Sequence, residues 1–141
     1  MNYAALVETL ETLAKEAGAA SFWTGVKAAA GINYNAKFPQ AELFILPSVL
    51  LGETTVQYSI GMLFCGNDTH EGGTADTVSI QSEMDQLTQR FARLVRDCED
   101  WELVSRAPSG DFNRMPTVRT GTQVGTGFFI DFTVNVLAIP C

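Results

Sequence analysis

The sequence predicts an α+β protein in which two helices pack on one face of an antiparallel sheet of about four strands. Two segments have apolar residues at the spacing of a helix, and two others alternate apolar and polar residues as strands do. Because helices and strands are each apolar on one side, they are expected to bury those sides against each other. The 141 residues are expected to form one domain, with no repeat or linker that would divide them.

The longest regular segment runs from Ser79 to Asp100 and predicts the central helix. Arginine and acidic side chains fall largely on the opposite side of this helix, so one face should be buried and the other hydrated. The apolar residues recur at spacings of three and four: Ile80, Met84, Leu87, Phe91, Leu94, Val95 and Cys98.

A second amphipathic helix is predicted over residues 3–17, and Gly18 follows it as a C-cap. The segment 19–37 is harder to interpret because Gly25 and Gly31 interrupt it. A short helix near Ser21 to Ala30 is one interpretation of it.

Two strands are predicted in the middle of the chain. The first follows Phe38-Pro39 and ends at Pro47, and its apolar run indicates burial on both faces or an outer face that meets a partner. The second runs from Thr55 to Cys65 with clear alternation, and Gly52-Glu53 between them fits a hairpin turn. The polar tract 66–76 has the composition of a loop.

The C-terminal third predicts a short strand at 101–104, a long connection over 105–127 and a closing strand over 128–137. Residues 117–123 could form a strand within the connection. A connection of this length without its own structure usually indicates a functional arm or a disordered segment.

Charge and composition exclude several classes of protein. A net charge of −7 and a pI near 4.5 argue against a sequence-specific nucleic-acid binder, which normally has a basic face. Cys65, Cys98 and Cys141 are too few and too widely spaced for a disulfide framework or a paired-cysteine metal site. The charged N-terminal segment predicts neither a signal peptide nor a membrane span, so no membrane partner is expected.

No motif for catalysis, metal binding or cofactor binding is complete. His70-Glu71 resembles the start of a zinc-protease motif, but this histidine is the only one in the chain. The glycines between Gly121 and Gly127 lack the Lys and Ser/Thr of a phosphate loop. The acidic residues of the tract 66–76 lack the spacing of a calcium loop. The sequence therefore predicts no enzyme, no cofactor and no metal.

The order of elements resembles the tail-terminator and tail-completion proteins of tailed bacteriophages. This resemblance implies a structural subunit that forms a homo-oligomeric ring at the tail end or in the head-to-tail connection. It implies tail-tube or connector proteins as further partners, and a place in the tail or neck of a virion assembled in the host cytoplasm. The residues that carry it are the helix 3–17, Phe38-Pro39 with Leu43 to Pro47, the strand Val56 to Phe64, the helix from Ser79, and Gly127-Phe128 with Phe132.

The connection 105–127 is the predicted subunit interface. It carries three arginines against one aspartate, a local net charge of +2 in a chain whose net charge is −7, which suits an arm that lies on the next copy. The arm is expected to be mobile in the monomer. The alternative is a solvated loop with incidental arginines. The predicted interface residues are Arg106, Phe112, Arg114, Met115 and Arg119.

A second function is compatible with the same sequence. The chain could be a non-enzymatic module that binds a small ligand or a partner, with a pocket between the sheet and Phe22-Trp23. Large aromatic residues also routinely supply buried area, so these two could simply cover one end of the core.

Overall fold

The protein is described by a computed structural model, which covers residues 1–24, 37–67, 73–105, 110–118 and 126–137, without the side chains of 73–75. The elements in this part of the chain are α1 (Tyr3–Ala17), β1 (Ser21–Thr24), β2 (Gln40–Ile45), β3 (Val49–Leu51), β4 (Thr55–Cys65), α2 (Gly73–Asp97), β5 (Glu102–Leu103), β6 (Asn113–Thr117) and β7 (Gly127–Leu137). The α+β class is confirmed.

Both helices have the sequence-predicted faces. At the start of α1, the side chain of Asn2 accepts a hydrogen bond from the Ala5 N–H at 2.8 Å, and at its end the Gly18 N–H donates to the Ala14 and Lys15 carbonyls. Gly18 has a φ of 132°, a backbone conformation that favours glycine. The bounds predicted for α1 are therefore confirmed.

Helix α2 begins at Gly73 rather than at Ser79 and ends at Asp97 rather than Asp100. The loop predicted over 66–76 is therefore wrong for residues 73–76, and residues 68–72 lie outside the described ones. Asp76 lies in the first turn, where a carboxylate stabilises the positive end of the helix dipole. Polar composition indicated a loop, whereas these residues extend the N-terminal end of the helix.

The described sheet has seven strands and is mixed, so the prediction of about four antiparallel strands is only roughly correct. Five strands follow the order β1-β2-β4-β7-β5, while β3 pairs with β4 and β6 pairs with β7. The long central pair joins β4 to β7 over its full length, from Thr55 opposite Leu137 to Cys65 opposite Gly127. Only β1 is parallel to its neighbour, β2.

The three additional strands correct specific predictions. Residues Ser21–Thr24 form β1, so the short helix considered near Ser21 to Ala30 is wrong there; residues 25–36 lie outside the described ones. Val49–Leu51 forms β3 immediately after Pro47, where no strand was predicted, and it completes the predicted hairpin with β4. Asn113–Thr117 forms β6, so the connection 105–127 does have structure of its own.

The core lies between the helices and one face of the sheet. Partners across an antiparallel pair point to the same side, so Ile60 opposite Phe132 and Met62 opposite Ile130 mark the face that the helices cover. Both helices pack on this face, as predicted. The buried core residues from α1 are Leu6, Leu10, Ala14 and Ala17, and those from α2 are Met84, Leu87, Phe91 and Val95.

Candidate interaction surface

The other face of the sheet, which we call the outer face, carries apolar residues that no described helix covers. Leu63 of β4 is paired with Phe129 of β7, and Phe129 is paired in turn with Met115 of β6. The ring of Phe44 lies 6.4 Å from that of Phe129, so this apolar row continues toward β2. At the β6 edge, Met115 is 57 % exposed.

The most exposed apolar residues lie on the hairpin formed by β3 and β4. We call Leu46, Val49, Leu50 and Leu51 the hairpin patch, and their exposed fractions are 42 %, 51 %, 66 % and 42 %. Val49 and Leu51 pair with Gln57 and Thr55 on the outer face, while Leu50 pairs with Val56 on the opposite face. Apolar side chains are therefore exposed on both sides of β3.

The local sequence explains the break between β2 and β3. Pro47 lies between β2 and β3, and its ring has no N–H to donate to a ladder. The Leu46 N–H donates to the Ser59 carbonyl, and Val49 pairs with Gln57. Two residues lie between Leu46 and Val49, whereas one residue lies between Gln57 and Ser59. One strand thus has an extra residue relative to the other, the arrangement of a β-bulge, which bends a strand and re-aims its side chains.

The predicted interface residues are placed differently from the arm that the sequence suggested. Phe112 is half-buried, with its ring 5.4 Å from that of Phe132 and 5.4 Å from the Arg96 guanidinium. Arg114 forms an ion pair with Asp85 of α2. These two side chains therefore contact their own chain.

Among the predicted interface residues that the structure describes, Met115 lies on the outer face and has a largely exposed side chain. Arg106 and Arg119 lie outside the described residues. The assignment of all five to a subunit interface stays a prediction, whereas the expectation that the connection lacks secondary structure is wrong for residues 113–117.

The pairing of β1 separates the two aromatic residues that were predicted to line a pocket. Phe22 is paired with Ala41, which belongs to the core, while Trp23 is paired with Glu42. Because successive residues of a strand point to opposite faces, Phe22 and Trp23 do not line one cavity together. Phe22 packs against the core as a partly buried side chain.

A cleft of about 570 Å³ lies instead at the end of the sheet where Thr55 of β4 pairs with Leu137 of β7. The Trp101 indole N–H donates to the Val95 carbonyl at 3.0 Å, which holds this side chain against the end of α2. The terminal ammonium of Met1 donates to the Leu137 carbonyl at 2.9 Å across the cleft. Three acidic residues, Glu99, Asp100 and Glu102, line the same cleft.

The two described cysteines are protonated at neutral pH. Burial raises the pKa of the Cys65 thiol from 9.0 to about 12, and the nearby Glu42 carboxylate acts in the same direction. Burial is also the main cause that raises the pKa of Cys98. A nucleophilic thiolate is disfavoured at both positions.

Within the described ranges, no three histidine, cysteine, aspartate or glutamate side chains come together in a way that could hold a metal ion. His70 and its acidic neighbours Asp68 and Glu71 lie outside those ranges. None of the helices described is long and apolar enough to span a membrane.

The sequence signal for the hairpin patch is the apolar run Val49-Leu50-Leu51, placed between a proline and the turn glycine Gly52. It has no period, so the exposure of its side chains could not be predicted. In the comparisons with known proteins, no protein-family model matches the chain and no curated protein is similar to it in sequence.

Proposed function

We propose that this chain is a structural virion subunit of a tailed bacteriophage or prophage, which forms a ring at the tail end or in the head-to-tail connection. The observation that carries this proposal is the hairpin patch, where Leu46, Val49, Leu50 and Leu51 are exposed together. Exposed apolar side chains that are contiguous usually belong to an interaction site. The resemblance to tail-terminator and tail-completion proteins supplies the class of partner.

The outer face adds a second exposed apolar side chain at its β6 edge, while Leu63 in the middle of this face is buried. Met115 is exposed at the β6 edge, at the far end of the row that passes through Phe129 and Leu63 toward β2. A subunit with apolar regions at two separate places can contact two neighbours at once. Copies joined alternately through the two regions close into a ring when the rotations between neighbours allow it.

The proposed role is mechanical, and its partners are further copies, tail-tube proteins and connector proteins. The chain would act in the neck or tail of the virion, after assembly in the host cytoplasm. No substrate, cofactor or metal takes part in this proposal.

A particle-completion assay tests the proposed function. An extract of a phage whose corresponding gene is disrupted receives the purified chain, and infectious particles are counted, while negative-stain microscopy detects rings. We expect the chain to restore infectivity, and a double variant, Leu46→Ser with Met115→Ser, to restore much less. If the chain forms no ring and leaves infectivity unchanged at any concentration, the proposed function is wrong.

The cleft beside Trp101 favours a second candidate, a module that binds a small cationic ligand. Its volume of about 570 Å³ lies in the range of small-molecule sites, and its acidic lining would attract a positive charge. An NMR titration with L-argininamide tests it. Saturable shifts of the Trp101 indole and the Leu137 amide would support this candidate, whereas unchanged signals would eliminate it for that ligand class.

A further inference from the structure

We propose that β3 is a strand-addition site whose occupant is β3 of a second copy of this chain, paired antiparallel across a two-fold axis. This inference rests on the self-association that the proposed function requires, and it names the contact at one of the two regions. In this pairing Leu50 lies opposite Leu50 of the other copy, and Val49 lies opposite Leu51 of the other copy.

The first argument is the free edge of β3. Its three residues pair with Thr55, Val56 and Gln57 of β4 on one side, and no described strand lies along the other side. An edge of this kind presents N–H and C=O groups that can pair with another strand. Strand addition would satisfy these groups and cover the exposed apolar side chains in one step.

The second argument is a contrast with β6 at the other flank of the sheet. That strand contains Pro116, which cannot donate a hydrogen bond, and Arg114, a charged residue. Proline and charged residues are the usual protection of an edge strand against pairing. Strand β3 contains only Val49, Leu50 and Leu51, so it lacks both kinds of protection.

The third argument is charge, which allows a second copy to meet this hairpin and selects the antiparallel direction. Each copy has a net charge of −7, so two copies repel each other unless they meet at a place of low charge. Over residues 46–55 the chain has a single charged side chain, Glu53. Parallel pairing would set the two Glu53 carboxylates side by side.

Antiparallel pairing centred on Leu50 places Glu53 opposite Pro47 of the other copy. The two Glu53 residues are then six positions apart along the ladder, a separation of roughly 20 Å at about 3.4 Å per residue. This distance exceeds the screening length of about 8 Å at physiological ionic strength. The register therefore joins apolar residues while keeping the like charges apart.

The salt dependence of association separates this contact from attraction between a basic arm and an acidic body. Added salt screens the repulsion between two copies of net charge −7, so pairing through β3 should become tighter between 50 mM and 500 mM NaCl. A contact held by opposite charges would weaken over the same range. Sedimentation equilibrium of the full chain measures the dissociation constant at each salt concentration.

Leu50→Asp is the main variant, with Val78→Asp as its matched control. Both residues are exposed, so neither aspartate is buried in the monomer, but Val78 lies on α2 away from the hairpin. We expect Leu50→Asp to raise the dimer dissociation constant roughly a hundredfold, because two leucines lose their burial and two carboxylates oppose each other. Val78→Asp should change it less than about threefold. Equal melting temperatures for the two variants would confirm that both fold.

The register is tested by oxidation of a single engineered thiol. In a chain with Cys98→Ser and Cys141→Ser, Leu50→Cys should form a covalent dimer under copper-phenanthroline, since directly opposed residues have Cβ atoms about 4.5–5.5 Å apart. Ser48→Cys in the same background should form at least tenfold less covalent dimer, because Ser48 lies opposite Gly52 of the other copy in this register, so the two engineered thiols are far apart.

Two results would overturn the inference. One is a parent chain that stays monomeric at millimolar concentration and high salt with no Leu50→Cys dimer. The other is Leu50→Asp abolishing particle completion while the parent remains monomeric, because the hairpin would then bind a different protein. In that second case the proposed function stands, and only the second copy as occupant is wrong. If instead the dimer forms but infectivity is not restored, the pairing through β3 stands and the proposed function is wrong.

Discussion

Arg114 of β6 forms an ion pair with Asp85 of α2 and lies 5.5 Å from the centre of the Phe128 ring. Its guanidinium also donates to the Thr88 hydroxyl at 3.3 Å. One side chain thus joins the strand within the predicted arm to the central helix. The pair holds β6 against the helical face of its own chain, so the two charges contribute to stability in the monomer.

A double-mutant cycle measures this pair. The side chains of Arg114 and Asp85 are 33 % and 34 % exposed, so we expect a coupling free energy of only about 0.5–1 kcal/mol. Urea unfolding of Arg114→Ala, Asp85→Ala and the double variant gives this value. A coupling of zero, with unfolding unchanged in all three proteins, would show that Arg114 is free to contact a neighbour.

The core between helix and sheet should not accept a charge at Phe91. This ring is fully buried and lies 5.2 Å from that of Phe64. Phe91→Asp should abolish expression of folded protein, because it buries an unpaired carboxylate and leaves a cavity. Leu87→Asp should behave likewise, while Arg93→Asp on the exposed side of α2 should express normally. A Phe91→Asp protein that melts like the parent would contradict the assignment of this face.

The first turn of α1 depends on its cap. The Asn2 side chain accepts from the Ala5 N–H, and its loss in Asn2→Ala should cost about 1 kcal/mol of the free energy of unfolding. Asn2→Asp keeps an acceptor at the same position and should retain most of the stability. Chemical denaturation of the two variants and the parent measures the free energy of unfolding of each. Equal losses of this free energy in Asn2→Ala and Asn2→Asp would argue against a capping role.

Cys65 should make stability fall at alkaline pH. Its native pKa of about 12 lies above the ordinary 9.0, so between these values the unfolded chain holds fewer protons at this thiol than the native one. The stabilising contribution is complete below about pH 9 and is lost as pH rises toward 12. We expect the parent to lose up to about 1.4 kcal/mol per pH unit more than Cys65→Ala over this interval. Urea unfolding at pH 8, 9.5 and 10.5 measures the difference, since the other titrating groups are common to both proteins.

The same burial predicts unequal thiol reactivity. In a Cys141→Ser chain treated with iodoacetamide at pH 8, Cys98 should react before Cys65. The reason is that Cys65 is buried, whereas Cys98 is only partly buried. Peptide mass spectrometry at timed intervals follows both sites. Equal rates in the native protein, with equal rates again in urea, would mean that Cys65 is accessible in solution.

The sequence by itself determined the elements whose side chains repeat with a strong period. Residues 3–17 and the strand Thr55–Cys65 have the predicted bounds, because one buried face requires a regular pattern along the whole element. The core side of α2, including Leu87 and Phe91, followed from the same reasoning. Gly18 was recognisable because a helix end often requires a left-handed residue.

Only the tertiary structure decided the role of the short strands and the location of the surface patches. Strands β1, β3 and β6 contain three to five residues, too few for a period, and each exists because a longer neighbour supplies its hydrogen bonds. Val49, Leu50 and Leu51 are as apolar as a core segment, and Phe112 was predicted to lie at a subunit interface. Whether such residues are buried depends on what packs over them, and that depends on contacts between segments far apart in the chain.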